Sequence, residues 1–183
     1  MNPLRRAFLP SLVCCRDTLG LPQSLTKVSF HWNRAQYAGL NHRLGQLNRY
    51  MRATQHLPYK TCELTLLDHS LLAAQFATKE YPKDMELQSM AFLHDIGYSL
   101  LLDGFPPQDL DHERLGADFL QGLGFSERIT EGIRNQSSGG SSDALSLRKY
   151  DSLAKNKAEL HGSTEANFDH YFEVASRCLH QSK

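Results

Sequence analysis

The chain has 183 residues, of which 40% are apolar, and its formal net charge is zero. This length suits one domain of ordinary size with an appendage, and no stretch approaches the roughly 20 apolar residues that a membrane-spanning helix needs. The neutral total conceals an asymmetry, because residues 1–60 carry nine Lys or Arg against one acid (+8) and residues 61–183 carry eleven against nineteen acids (−8).

Residues 1–58 are predicted to form a basic leader and linker. The opening stretch, 1–16, carries three arginines and no acid, with hydroxylated and apolar residues interleaved, which is typical of a mitochondrial transit peptide. We therefore expect a location in the mitochondrial matrix, with the cytoplasm as the alternative location. The alternative role of the leader is contact with nucleic acid or anionic lipid. No basic motif with interleaved aromatic residues favours nucleic acid, so no nucleic-acid partner is expected.

The cysteines predict a reducing compartment. Cys14 and Cys15 are adjacent in the leader, Cys62 and Cys178 are isolated, and no CxxC spacing occurs. This usage fits neither a disulfide-stapled fold nor a zinc ribbon.

Residues 59–183 are predicted to form a single helical domain. Apolar residues recur close to the helical period, and the breaks fall at Tyr81-Pro82, at Gly97, in a loop at 103–109 and in a polar linker at 135–143. The helices predicted in this domain are 63–79, 84–94, 112–124, 126–134, 144–160 and 166–179. One further helix is predicted in the leader and linker, at 37–52. Because no alternation typical of strands is present, the predicted fold class is all-α.

The most informative feature is the adjacent pair His94-Asp95, which follows the apolar run Met-Ala-Phe-Leu at 90–93. An imidazole and a carboxylate are costly to bury without a partner, and together they can bind one cation. His69, on the preceding predicted helix, and Asp151, on a later one, can converge on the same ion inside a helical bundle. Such mixed nitrogen and oxygen ligation suits Mn, Fe, Mg, Ni or Zn.

His112 extends the set to a second metal or to a substrate oxyanion. Two metals bridged by Asp95 would clamp a phosphate for hydrolysis or, as iron, bind dioxygen. Arg148, Lys149 and Lys155 flank Asp151 and could bind an anionic group, although charged residues on a late helix most often form a solvated face.

The order of His69, His94-Asp95 and Asp151 resembles the H…HD…D signature of the HD-domain superfamily, which is all-α and consists mostly of metal-dependent phosphohydrolases. The phrases at 66–69 (LLDH), 91–97 (AFLHDIG), 112–117 (HERLGA) and 147–155 (LRKYDSLAK) are closer still to the HD-domain oxygenases that cleave organophosphonates, such as the 2-amino-1-hydroxyethylphosphonate dioxygenases. This resemblance runs from about Tyr59 to Lys155, and it implies an HD-domain helical bundle after the basic leader.

The resemblance also implies roles for individual residues. It implies a di-iron centre in which Asp95 bridges the two irons and His112 binds the second. Arg148 and Lys155 match residues that grip the phosphonate, and Tyr59 matches a gating tyrosine. Cys62 stands near the position of a glutamate that closes over the substrate, with Glu63 one position away. The implied ligands are His69, His94, Asp95, His112 and Asp151.

The chain departs from that family in a middle segment, which it lacks. The position of a further second-iron histidine falls on Gln136, and a polar Ser-Ser-Gly-Gly-Ser-Ser stretch follows at 137–142. The family's histidine after HDIG is replaced by Tyr98, and its lysine and hydroxyl ligands from the missing segment are absent.

Three interpretations follow from the sequence. The first is an iron-dependent oxygenase acting on a small organophosphonate, impaired by the missing segment. The second is a mononuclear HD phosphohydrolase acting on a nucleotide or a small phosphoester, which needs only His69, His94, Asp95 and Asp151. The third is a catalytically inactive helical scaffold that binds a partner.

Overall fold

A computed structural model describes residues 39–59, 64–102, 111–155 and 162–181. Residues 1–38 of the leader predicted at 1–58, Cys62, Glu63, the loop at 103–109 and the end of the helix predicted at 144–160 lie outside these residues. The location drawn from the leader therefore stays a prediction.

The described residues form an all-α bundle, as predicted. The helices are α1 (Leu40–Ala53), α2 (Leu66–Glu80), α3 (Met85–Leu93), α4 (Ile96–Leu101), α5 (His112–Leu123), α6 (Glu127–Arg134), α7 (Ser142–Lys155) and α8 (Thr164–Gln181). A 3₁₀ turn, Thr54–His56, follows α1, and two short strands, β1 (Pro58–Tyr59) and β2 (Leu64–Thr65), pair antiparallel before α2. No helix of the described parts is long and apolar enough to cross a membrane.

The core forms around α2, which packs against α3, α7 and α8. Its buried side chains include Leu67, Leu71 and Leu72, which join aromatic residues of α3 and α8 in one cluster. Helices α4, α5 and α6 close the other side, with α5 against both α4 and α6. This arrangement brings α2, the α3–α4 corner, the start of α5 and the middle of α7 to one place.

Helix α1 belongs to the packed bundle, so the compact part begins by Leu40 rather than at Tyr59. Leu47, Tyr50 and Met51 are buried, and the Tyr50 ring packs edge-on against Phe119 of α5 at 5.1 Å. Arg52 forms a bidentate ion pair with Glu165 of α8 at 2.6 and 2.7 Å. The helix predicted at 37–52 therefore packs in the bundle, and even its Arg43 is partly buried and donates to the Leu123 carbonyl of α5 at 3.0 Å.

Two predicted breaks differ from the structure, one in position and one in character. The chain turns at His94-Asp95, and Gly97 lies inside α4. The polar segment predicted as a linker begins with a turn at 135–139 that packs against α5, because Glu113 accepts hydrogen bonds from Ser137 N and Oγ at 3.2 and 2.6 Å. Asp84 and Ser126 are the N-caps of α3 and α6, and their side chains accept hydrogen bonds from Leu87 N and Ile129 N.

Candidate metal centre

The start of α2 fixes the position of His69. Thr65 and Asp68 form a capping box at the N-terminus of the helix, which satisfies backbone N–H groups that would otherwise lack partners. His69, one residue further, is fully buried. Its Nε2 lies 3.0 Å from Asp151 Oδ1 of α7, so the two most distant members of the predicted set are in contact.

The His94-Asp95 pair occupies the corner between α3 and α4. His94 Nδ1 donates a hydrogen bond to the Ala91 carbonyl at 2.8 Å, which orients the ring and directs Nε2 into the site. This Nε2 lies 3.2 Å from Asp95 Oδ2 and 3.7 Å from Asp151 Oδ1, yet it is buried and has no well-formed hydrogen bond among the described residues.

These spacings fit a metal ion. Ligand atoms of His69, His94 and Asp151 lie within 4.8 Å of one another, and all three residues are buried. Asp95 Oδ2 adds a fourth atom, 3.5 Å from His69 Nε2. Ligands at about 2.1 Å from a four-coordinate ion lie about 3.4 Å apart, and the nitrogen–oxygen distances of 3.0 to 3.7 Å are compatible with such an ion.

The two oxygens of Asp95 face different neighbours. Oδ2 points toward the two buried histidines, whereas Oδ1 lies 3.6 Å from His112 Nε2. His112, the first residue of α5, is only partly buried. Tyr98 of α4 stacks on it, with ring centroids 4.1 Å apart and planes 18° from parallel. The carboxylate is therefore placed to contact two positions at once.

Electrostatics inside the cluster favour a cation. Burial lowers the pKa of His94, but Asp95 and Asp151 outweigh burial and raise it to about 10. Burial lowers the pKa of His69 below its usual value, and the charge of His94 acts in the same direction. Although burial opposes it, hydrogen bonds from His69, His94 and Lys155 hold the pKa of Asp151 well below its usual range. The two carboxylates therefore favour a positive charge at His94, which a proton or a metal ion can supply.

Lys155 contacts Asp151 of the centre, whereas Arg148 contacts the turn at 135–139. The Lys155 ammonium donates to Asp151 Oδ2 one helical turn away, leaving Oδ1 directed at His69. Arg148 lies one turn before Asp151 on the same face of α7, but it is exposed and its guanidinium reaches the Ser137 carbonyl at 3.5 Å. The two cations predicted to bind an anion therefore flank Asp151 without meeting.

Tyr59 covers the buried ring of His69. Its ring stacks on His69 with centroids 4.1 Å apart and planes 5° from parallel. Burial raises the pKa of Tyr59, and the charges of Asp151 and Asp95 raise it further, so the phenol remains neutral. The short β1–β2 ladder places this ring next to α2.

Gly97 permits the close crossing of α4 and α5 that positions His112. A Cβ at Gly97 would overlap the His112 carbonyl, and backbone cannot move aside as a flexible side chain can. Gly97→Ala is therefore expected to destabilise the fold by about 1–3 kcal/mol and to displace His112 from Asp95. Urea unfolding and metal titration measure the two effects.

A matched control for that substitution lies on α1. A Cβ at Gly45 would meet nothing within 4 Å, so Gly45→Ala should stabilise the helix by about 0.5–1 kcal/mol. Equal stability of the two variants would show that the close crossing is unimportant.

The structure brings together five of the predicted residues, His69, His94, Asp95, His112 and Asp151. It adds the stacking of Tyr98 on His112 and the Ala91 carbonyl that orients His94, two contacts that the sequence did not predict. Tyr98 falls three residues after Asp95, a helical spacing that could have indicated a shared face. Comparison of the chain with models of known protein families and with characterised proteins gives no match.

Proposed function

We propose that this protein is an HD-type metalloenzyme that cleaves a small organophosphonate in an iron-dependent oxidation. The observation that carries the proposal is the buried group of His69, His94 and Asp151, with Asp95 shared between that group and His112. The order of these residues along the chain supports the HD assignment.

The shared carboxylate supports a centre with two metal positions. Asp95 directs Oδ2 to His94 and Oδ1 to His112, so each of its oxygens can reach a different ion. Bound iron would supply the activation of dioxygen. The contribution of the protein is to hold the ligands in a largely buried pocket, where electrostatic interactions are strong.

The charge balance favours an anionic substrate. Without a metal, protonated His94 and Lys155 balance Asp95 and Asp151. A divalent ion in place of the His94 proton leaves one positive charge in excess, and a second ion leaves more. A phosphonate oxygen can bind Lys155 and a metal together, while Tyr59 covers the ring of His69.

Metal content and oxygen uptake of the purified full-length protein test the proposal. We expect two irons per chain, and oxygen uptake that depends on added 2-aminoethylphosphonate, its 1-hydroxy derivative or a close analogue. Release of inorganic phosphate should accompany the uptake. Uptake without any dependence on a phosphonate would contradict the proposed substrate class.

A mononuclear phosphohydrolase is the second candidate, and one observation favours it. His69, His94, Asp95 and Asp151 supply four ligand atoms to the first position, whereas the described residues place only His112 and the second oxygen of Asp95 in contact at the other. A single Mn, Ni or Mg ion, with release of phosphate from phosphoesters and no oxygen uptake, would select this candidate. A chain that binds no metal tightly would leave only the inactive scaffold.

Lys155 provides a test of anion binding that both candidates share. Lys155→Met should weaken the binding of inorganic phosphate to metal-loaded protein by about tenfold or more, since a hydrogen bond to a charged group contributes about 1.5–3 kcal/mol. Titration calorimetry measures the affinity directly.

Lys149→Met is the matched control, because Lys149 lies on the same helix but pairs with Glu80 on the surface. We expect it to bind phosphate as the unmodified protein does. Equal affinities in the two variants would remove Lys155 from the anion site.

A further inference from the structure

The turn at 135–139 contains an exposed serine that is bonded to a buried carboxylate. Ser137 is exposed, whereas Glu113 of α5 is 4% exposed. Ser137 N and Oγ donate to the two oxygens of Glu113 at 3.2 and 2.6 Å, and both hydrogen bonds of this carboxylate to the described residues come from Ser137. A buried carboxylate is costly to leave without donors, so one residue at the surface holds the turn against α5.

Glu113 also joins this turn to the candidate metal centre. It follows His112 directly at the start of α5, and His112 Nε2 lies 3.6 Å from Asp95 Oδ1. The backbone of His112 is closely packed as well, since a Cβ at Gly97 would overlap its carbonyl. A change at Ser137 that displaces Glu113 therefore acts on the backbone that carries His112.

The segment around Ser137 is accessible to a modifying enzyme. Ser137 and Ser138 are exposed within a run of Ser and Gly, and exposed segments of small polar residues are where proteases gain access to a folded chain. Arg134 precedes Ser137 by three residues, and its ion-pair partners Asp118 and Glu131 are half-exposed, so opening these pairs costs little. A cation at a fixed spacing from a hydroxyl is the kind of charge pattern by which kinases select substrates.

We propose that Ser137 is a phosphorylation site, and that its phosphorylation releases the turn at 135–139 from α5. In the reaction, Ser137 Oγ forms a bond to the γ-phosphorus of ATP. The bond between that phosphorus and the bridging oxygen breaks, ADP leaves with the electron pair, and the hydroxyl proton passes to the base of the protein kinase. The consequence for activity rests on the proposed function, because it acts through His112, whereas the modification and the release of the turn do not.

The charges around Ser137 decide the direction of the effect. A phosphate on Oγ has lost the donor that Glu113 accepts, and it places a charge of about −1.5 to −2 against that buried carboxylate. Arg148, whose guanidinium reaches the Ser137 carbonyl at 3.5 Å, can bind the phosphate, but Arg148 is exposed. Exposed ion pairs contribute little, whereas like charges repel strongly where one of them is buried. Phosphorylation should therefore free the turn and leave the phosphate with Arg148 at the surface.

Hydrogen exchange of the full-length protein tests this release. Phosphoserine is incorporated at position 137 during synthesis, and backbone amide exchange is followed in the turn and in the first turn of α5. We expect the Ser137 amide to exchange about tenfold faster or more, which is the effect of losing one hydrogen bond to a charged group. Phosphoserine at position 138 is the matched control, because Ser138 is exposed in the same turn but donates to the Asn135 carbonyl, and it should leave that exchange unchanged.

Glu113→Gln separates charge repulsion from the bulk of the phosphate. In this variant the phosphate meets a neutral amide that can donate a hydrogen bond to it, so phosphoserine at position 137 should leave the exchange of the turn nearly unchanged. An equal acceleration in the native and Glu113→Gln backgrounds would overturn the proposed repulsion, and so would the absence of any acceleration in the native background.

The modification itself is tested with ATP and a panel of arginine-directed serine kinases, with the phosphate located by mass spectrometry. We expect phosphate on Ser137 of the full-length protein and less of it in Arg134→Gln. No phosphate on Ser137 with any of these kinases would overturn the assignment of the site. Neither this measurement nor hydrogen exchange needs a bound metal, so a chain that binds no metal would defeat the proposed function and leave this proposal standing. If the protein does turn over a substrate, phosphoserine at position 137 should lower the rate, and an unchanged rate would overturn the link to His112.

Discussion

Asp95→Asn should abolish tight metal binding and all metal-dependent activity. The substitution preserves the shape of the side chain but replaces its charged carboxylate by a neutral amide. In the native protein, Oδ2 of this carboxylate faces His69 and His94, and Oδ1 faces His112. A neutral amide has a single acceptor oxygen and cannot bridge two ions. Loss of the carboxylate affects both metal positions. We therefore expect the affinity for the first ion to fall by about 100-fold or more and the second ion no longer to bind.

The measurement is metal content after dialysis at fixed free Mn²⁺, with turnover assayed on the same samples. Asp169→Asn is the control, because Asp169 is an exposed residue of α8 at 3.7 Å from Arg52. An Asp95→Asn protein that kept one tightly bound ion and partial activity would contradict the bridging role. It would reduce Asp95 to a residue that merely neutralises His94.

Residue types and helical spacing predicted the centre well. A histidine and a carboxylate after an apolar run must find partners once buried, and His69 and Asp151 were the candidates on other predicted helices. The structure places both in contact with the pair. The all-α class followed equally directly from the apolar periodicity.

What the sequence could not supply was the packing of surface-like segments. Helix α1 was assigned to the leader because its arginines dominate the composition, although Leu47 and Met51 are spaced four apart and become buried. Gly97 was read as a helix stop, whereas its missing Cβ serves the contact with His112. Both outcomes depend on which helix lies alongside, and one sequence does not encode that in any local pattern.

The turn at 135–139 is the most instructive difference. A run of Ser and Gly is typical of a flexible linker, yet Glu113 holds Ser137 by two hydrogen bonds. These hydrogen bonds from Ser137 satisfy the buried carboxylate of Glu113. The sequence of α5 alone does not predict that Glu113 is buried. Gln136, the residue before Ser137, is buried as well, and this burial emerges only from the folded chain.

The affinity for metal should rise steeply with pH. In the metal-free protein, Asp95 and Asp151 raise the pKa of His94 from 6.5 to about 10 against the opposing effect of burial. Because a metal can bind His94 only after that proton has left, each pH unit below this value should cost about tenfold in affinity, or about 100-fold between pH 9 and pH 7. His69 has a lowered pKa and is already neutral, so about one proton should be released for each first ion bound.

The raised pKa of His94 predicts the opposite pH dependence for the stability of the metal-free fold. The two pH dependences together identify His94 as the titrating group. A group whose pKa is raised on folding stabilises the folded state fully below its unfolded pKa, here 6.5, and loses that contribution as the pH rises toward 10. Thermal stability without metal should therefore fall between pH 7 and pH 10, while the gain in melting temperature on adding Mn²⁺ grows. Calorimetry in buffers of different ionisation enthalpy counts the released proton, and a metal affinity independent of pH would show that His94 is neutral before the ion arrives. In that case metal binding would release no proton from His94. The metal-free site would then carry an uncompensated negative charge, which should destabilise the fold at every pH at which Asp95 and Asp151 are ionised.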